Sequence, residues 1–234
     1  EMSASLVGSE MCIRDRNKIV ELLDDLSPEA QLIGAVNTVL NDNGKLIGYN
    51  TDGYGFMQSV RDAGHDITGK NITVMGVGGA SMAICAQSAL DGAASVDIFA
   101  RRTSRYWNRT QKFAENLSAK TGCQVCLFDN DDHTALRDSI AQSYLLINAT
   151  SVGMVPDIDD TIIKDTSLFH PELVVADVVY EPQETRLLRE AKAAGCQTFN
   201  GMYMLLHQGA KAFQIWTGQE MPVSVIKEKY FSVK

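Results

Sequence analysis

The chain has no apolar run long enough for a transmembrane helix and no stretch built like a secretory leader. It has no basic excess either. Its 21 Lys and Arg face 29 Asp and Glu, a net charge of −8, and recognition of a nucleic-acid backbone needs positive surface. These absences predict a cytoplasmic protein that binds neither nucleic acid nor membrane. Cysteine is sparse: Cys12, Cys85, Cys123, Cys126 and Cys196 are odd in number and irregular in spacing, unlike a disulfide framework. Cys123 and Cys126 form a CxxC, but in an alternating, strand-like run rather than at a helix N-terminus, where a reactive thiolate is stabilised. No second pair completes a zinc site, so no metal is expected. Internal repeats and low-complexity segments are missing as well. What is left is 234 residues, 45% of them hydrophobic, enough for one or two domains with real cores.

The most informative stretch runs from Gly69 to Arg105. Asn71 to Met75 is a short β-branched, apolar run that reads as a buried strand. Gly76, Val77, Gly78, Gly79 and Ala80 follow at once. A small, apolar helix from Ser81 to Leu90 comes next, closed by Gly92, and then a second strand, Ser95 to Phe99. This is half of a dinucleotide-binding β-α-β unit. The glycines allow a tight turn and close approach of a pyrophosphate, and the bare N–H groups and dipole of the following helix favour its charge. The pattern is GxGGA rather than GxGxxG; the flanking strands are what assign it a nucleotide. NAD-binding units carry an acidic residue for the ribose at the tip of the second strand. Here that place is taken by Arg101, Arg102, Thr103, Ser104 and Arg105. Arginine's planar donor fork suits a phosphate, so NADP is expected ahead of NAD.

The rest of the chain is read around that unit. Residues 1–16 have no clear period and look like translated adapter sequence, so they are set aside as non-native. Ile19, Leu22, Leu23 and Leu26 share a helical face. Ser27 and Pro28 start a short helix, and Ala35 to Leu40 and Lys45 to Tyr49 are strands joined by a turn at Asn41 to Gly44. Asp52 opens a helix that ends at Gly64. Its bland role is a helix N-cap. However, Asn37 and Thr38 with Asn50, Thr51 and Asp52 cluster amides, hydroxyls and a carboxylate at the ends of paired strands, a wall suited to a polyhydroxylated substrate. Strands and helices then alternate, and Asn148 to Met154 is a small, polar turn at a strand's carboxyl end, where nucleotide folds place ligand contacts. A long helix from Met202 to Trp216 carries Met204 and, one turn on, Gln208. The fold class expected is α/β: a Rossmann-type doubly wound parallel sheet over 52–201, a partial substrate-binding domain over 17–51, and C-terminal helices over 202–234 packing back on it.

Several motifs in one order identify a family. They are Gly34 to Thr38, Gly48 to Gly53, the Gly76 to Ala80 loop, Asn148 to Met154, Asp177 to Pro182, and Asn200-Gly201 with Met204 to Gly209. Together they resemble shikimate dehydrogenase and its quinate/shikimate dehydrogenase relatives over residues 17 to 234, as a chain truncated at its amino end. The resemblance implies reversible reduction of 3-dehydroshikimate to shikimate with NADPH, on the way to chorismate and the aromatic amino acids. Hydride passes between the nicotinamide and substrate C3, and a Lys–Asp pair serves the C3 oxygen. Asp52 matches that aspartate. Asn37, Thr51, Tyr180 and Gln208 match substrate-contacting positions. Gly76, Val77, Gly78, Gly79 and Ala80 match the phosphate loop, Arg101 and Arg105 the 2′-phosphate arginines, and Gly201 and Met204 the nicotinamide surroundings; Arg102 and, in the Asn148 to Met154 turn, Thr150 are further expected cofactor contacts.

Three departures stand out. The family's early serines and its Asn-Val-Thr-x-Pro-x-Lys motif do not appear. Counting back from Asn37, the catalytic lysine is expected near Arg16, and Lys18 lies two positions late, on another face. Arginine stays protonated and is a poor proton donor, so turnover is expected to be impaired. Tyr203 replaces a glycine beside the nicotinamide, where it either crowds the site or shifts a loop. Ala100 replaces an asparagine before Arg101, which weakens the ribose contact. The quinate/shikimate branch, using NAD or NADP, is the alternative enzyme, and a non-catalytic NADP-binding module the alternative of another class. Monomer and homodimer both remain open.

Overall fold

A computed structural model describes residues 8–10 and 15–231. Of the segment set aside above, residues 1–7 and 11–14, Cys12 among them, lie outside the described residues. The remainder takes part in the fold. Strand β1 (Gly8–Glu10) adds antiparallel to β3 (Thr38–Asp42), with Ser9 opposite Val39.

The small sheet is completed by β2 (Asp25–Leu26) and β4 (Lys45–Tyr49), in the order β1-β3-β4-β2. The helix expected over Ile19 to Leu26 is instead a single 3-10 turn, Ile19–Leu22, followed by β2. Asp24 and Ser27 bond the backbone of β4 at Leu46 and Gly48, so the strand edge captures this segment. Short helix α1 (Pro28–Ile33) begins as its residues dictate: the Ser27 hydroxyl accepts from Ala30 N, and Pro28 takes the first turn, where a missing N–H costs nothing. The β3–β4 turn is Asn43-Gly44, both at positive φ (53° and 95°), as a two-residue hairpin requires. Ile19, Ala30, Val36 and Val39 form the small core beneath.

After α2 (Asp52–Asp62) come β5 (Asn71–Met75), α3 (Gly79–Leu90), β6 (Ser95–Ala100), α4 (Trp107–Thr121), β7 (Gln124–Asp129), α5 (His133–Gln142), β8 (Leu145–Asn148), β9 (Val174–Asp177), α6 (Arg186–Ala193) and β10 (Gln197–Phe199). The six strands pair in parallel in the order β10-β9-β8-β5-β6-β7, which reverses between β5 and β8. Strand residues alternate between two cores. Ile72, Val74, Val96, Ile98, Leu145 and Ile147 pack with α3 and with Phe113 and Leu117 of α4. Met75, Phe99, Leu146 and Val175 face Ile140 of α5 and Leu187 and Leu188 of α6. Both faces are covered, which is why these strands read as continuous apolar runs. The cysteines are free where described. Burial pushes the Cys123 thiol up to about 11 and the Cys85 thiol up to about 12, so neither supplies a thiolate.

Helix α7 (Met202–Thr217) returns from the large sheet to the small one, where Trp216 Nε1 donates to the Val39 carbonyl at 3.0 Å; α8 (Val223–Tyr230) follows. Helix α2 lies between α3 and α7 at backbone contact. A Cβ on Gly53 would stand 2.3 Å from the Ala83 carbonyl oxygen, and one on Gly55 2.7 Å from both Met204 O and Gln208 N. Backbone cannot yield as a side chain does. Gly55→Ala is therefore expected to destabilise the chain by about 1–3 kcal/mol, read from urea unfolding, while a change at an exposed position such as Lys112→Ala leaves the midpoint in place.

Candidate active site

The loops after β5 and β9 open on a cavity of about 510 Å³, a usual size for a small-molecule site. Its lining combines the glycine turn (Val77, Gly78, Gly79 and Ala80) with Arg16, Asn50 and Asp52 and with Tyr180, Gly201, Met204 and Gln208.

Asp52 is 6% exposed. It does not cap its own helix, where Thr51 holds the N-cap position without a side-chain bond. Its carboxylate bonds Arg16 Nη1 through Oδ2 and accepts from Asn37 Nδ2 at 3.0 Å through Oδ1. Asn37 is a fully buried node: its amide also donates to Thr51 Oγ1 at 2.9 Å, and its carbonyl accepts from Thr51 N and Thr38 Oγ1. Asn50 Oδ1 accepts from Asp52 N, and Asn50 Nδ2 donates to the Ala35 carbonyl. The hairpin ends and the start of α2 are thus stitched together so that one carboxylate emerges at the cavity. Burial pushes the Asp52 carboxyl above the ordinary range; the Arg16 charge and the Asn37 bond pull against it.

The phosphate loop is suited to an anion. Gly76 has φ +111°, and a Cβ there would meet Thr150 Cγ2 at 2.8 Å, so the turn closes only with glycine. At Gly78 and Gly79 a Cβ would meet nothing within 4 Å, and Gly78, as the N-cap of α3, offers no side-chain acceptor to the helix N–H groups. Uncapped donors facing a cavity are what a diphosphate requires.

Of the residues picked from sequence, Asp52, Arg16, Val77, Gly78, Gly79, Ala80, Tyr180, Gly201, Met204 and Gln208 meet around this one cavity. Asn37 and Thr51 are buried behind Asp52 rather than on the wall. Thr150 lines an adjoining apolar hollow of about 400 Å³ that shares Val178 and Tyr180 with the first. Arg101, Arg102 and Arg105 are exposed past the end of β6. Arg102 lies over the Trp107 ring at 4.6 Å, and Arg105 crosses the Tyr106 ring and donates to its hydroxyl at 2.6 Å. Lys18 is no stand-in for a catalytic lysine, because it is exposed and paired with Asp15. Tyr203 does not crowd the cavity. Its ring packs toward Phe231, with Lys227 Nζ 4.0 Å above it, on the α8 side.

Sequence reasoning missed Asn17, Tyr106, Arg109 and Thr110, which also line the cavity. The last three sit in the first turns of an amphipathic helix, and nothing in its period marks them. Only the packing of α4 beside α3 turns them inward.

A doubly wound parallel sheet with an anion-binding glycine turn at its switch point, and a buried carboxylate cluster across the same cavity, defines a nicotinamide-dinucleotide oxidoreductase of two lobes. Comparison with known proteins is narrower. The family model of the shikimate 5′-dehydrogenase C-terminal domain matches residues 201–229. The shikimate dehydrogenase (NADP(+)) of Listeria innocua is 50% identical over 227 residues, 97% of this chain and 78% of that protein. The quinate/shikimate dehydrogenase of Escherichia coli is 40% identical over 221 residues, 94% and 76% of the two chains. The crystal structure of shikimate 5-dehydrogenase from Listeria monocytogenes in complex with shikimate and NAD superposes with a TM-score of 0.93 at 49% identity, covering 95% of this chain and 77% of that one. The chain belongs to the shikimate dehydrogenase family.

Proposed function

We propose that the cavity is where this chain carries out the NADP-dependent, reversible reduction of 3-dehydroshikimate to shikimate. The observation that carries the reading is a single cavity lined both by a phosphate-ready glycine turn and by Asp52 of the buried polar cluster. NADPH supplies the hydride when bound. The chain's own residues do the rest. The N-terminus of α3 holds the diphosphate, with Gly201 and Met204 beside the nicotinamide. Tyr180 and Gln208 orient the ring-bearing acid, and Asn37 and Thr51 keep Asp52 aimed at it. Arg16 donates a hydrogen bond to the developing alkoxide, Asp52 holds the guanidinium in place, and the proton that completes the hydroxyl comes from solvent, since the guanidinium keeps its own. In this reading residues 17–51 with the C-terminal helices form the substrate lobe and 52–201 the cofactor lobe of a cytoplasmic enzyme. Its partners are its small molecules, with no nucleic acid.

Arg101 and Arg105 serve the 2′-phosphate. Charge-assisted bonds of this kind contribute about 1.5–3 kcal/mol each. Arg101→Ala should therefore raise KM for NADPH by about 10-fold or more and leave KM for NADH unchanged; an equal effect on both would place the 2′-phosphate elsewhere.

The reading is tested by following NADPH oxidation with 3-dehydroshikimate, and by comparing shikimate with quinate as substrates for NADP and NAD reduction. The 40% identity to a quinate/shikimate dehydrogenase keeps quinate as the second substrate to be measured. Tight NADPH binding with no turnover, even with a lysine at position 16, would point to a binding module. A satisfied polar cluster built around one emerging carboxylate argues against that outcome.

A further inference from the structure

We propose that Asp177 is a positioning residue for the nucleotide: its buried carboxylate anchors a hydrogen-bond network that locks three neighbouring strand ends beneath the cofactor. The inference rests on the reading above, in which the nucleotide lies over Gly76 to Ala80 and beside Thr150.

Asp177 is the last residue of β9 and is fully buried. In register, Met75, Asn148 and Asp177 lie side by side at the ends of β5, β8 and β9. The carboxylate only accepts. Oδ1 takes Asn148 Nδ2 at 3.0 Å and Val179 N at 2.9 Å, and Oδ2 takes Thr185 Oγ1 at 2.8 Å. Among the described residues no cation pairs with it.

The Asn148 NH₂ donates to Asp177 Oδ1 and, at 3.2 Å, to the Val152 carbonyl, both acceptor-only groups, so its carbonyl faces the other way. There it accepts from Thr150 Oγ1 at 2.7 Å and Thr150 N at 3.1 Å. The Thr150 hydroxyl, its proton committed, then accepts from Val152 N at 3.1 Å. This pins the Thr150 methyl against Gly76, whose Cβ position it would meet at 2.8 Å. The other arm runs through Val179 N into the loop that carries Tyr180, and Gly201 N bonds back to the Val179 carbonyl at 3.3 Å. One carboxylate therefore organises the first glycine of the phosphate turn, the Thr150 turn and the Tyr180 loop. A buried carboxylate with three donors and no cation is costly to hold. An apolar residue would fill the space more cheaply but would leave one Asn148 N–H, the Val179 N–H and the Thr185 hydroxyl without this acceptor.

The test is NADPH affinity of the full chain, by fluorescence titration at a temperature where circular dichroism shows each variant folded. Asp177→Asn keeps shape and volume but turns one acceptor into a donor, and should weaken NADPH binding about 10-fold. Thr185→Val removes the Oδ2 arm, together with the cap bond from Leu188 N at the start of α6, and should weaken it about threefold in the folded protein. Combined with Thr150→Val, Asp177→Asn should add little beyond the larger single effect, since both act through one chain of bonds. A merely structural carboxylate would lower Tm and leave the affinity of the folded protein unmoved; that result, or full additivity with Thr150→Val, overturns the proposal. If Asp177→Asn does not fold, unchanged affinity in Thr185→Val overturns it alone. A parent chain that fails to bind NADPH would overturn the functional reading instead.

Discussion

Arg16→Lys is expected to raise turnover with 3-dehydroshikimate and NADPH by about 100-fold or more, with little change in KM for either. Arg16 is bonded to the buried Asp52 carboxylate and lines the cavity, which under the proposed function is where a proton must be delivered. Its guanidinium supplies charge and a hydrogen bond but does not give up a proton near neutral pH. A lysine ammonium at the same place does both, and positioned general acid–base catalysis contributes about 10²–10⁴-fold. Only the transition state gains, so the change belongs in kcat rather than KM. Steady-state rates at saturating substrate check this. An Arg16→Lys variant that binds both ligands but turns over no faster than its parent would show that position 16 does not serve the reacting oxygen.

Asp52→Asn, made in the Arg16→Lys background, is expected to remove about 100-fold or more of kcat and to flatten the acid side of the pH profile. The sign follows from the site. Asp52 must be ionised to hold and tune its cationic partner, and burial raises its carboxyl above the ordinary range. Rate should therefore fall on acidification at a pH above that of an exposed aspartate. Asparagine cannot titrate, so its low rate should be level across that window. Asn37 Nδ2 would still find the carbonyl oxygen of an asparagine, so the cluster keeps its shape and the loss reports charge. A retained acid limb in Asp52→Asn would assign the titration to another group.

Both predictions depend on Arg16, and the sequence and the structure bear on it differently. Counting back from Asn37 places Arg16 at the lysine position, yet the surrounding segment gives no helical or strand period to support a site. The structure adds the contact. Arg16 O accepts from Val36 N at 2.8 Å, so the residue is tied to the small lobe just before β3, and its side chain meets Asp52. Arg109 and Asn17 make the same point from the other direction. Neither is marked by any motif, and both reach the cavity because α4 packs beside α3 and next to the small lobe.

Backbone preference and apolar periods of a few residues are enough to place the β-α-β unit, the glycine turn, the Asn-Gly hairpin and the capped helices. The family is legible in the same way, since motif order along a chain is a one-dimensional property. Tertiary structure decided what depends on residues distant in the chain. It drew Ile19 to Leu26 out of a helix and onto a strand edge, turned Tyr203 toward α8 instead of the cavity, and withdrew Asn37 and Thr51 behind Asp52. It also joined Asp177, Asn148, Thr150 and Gly76 into one bonded row. The reason is common to all of these: a buried polar group takes the partner that folding brings within about 3 Å, and chain separation carries no information about which partner that will be.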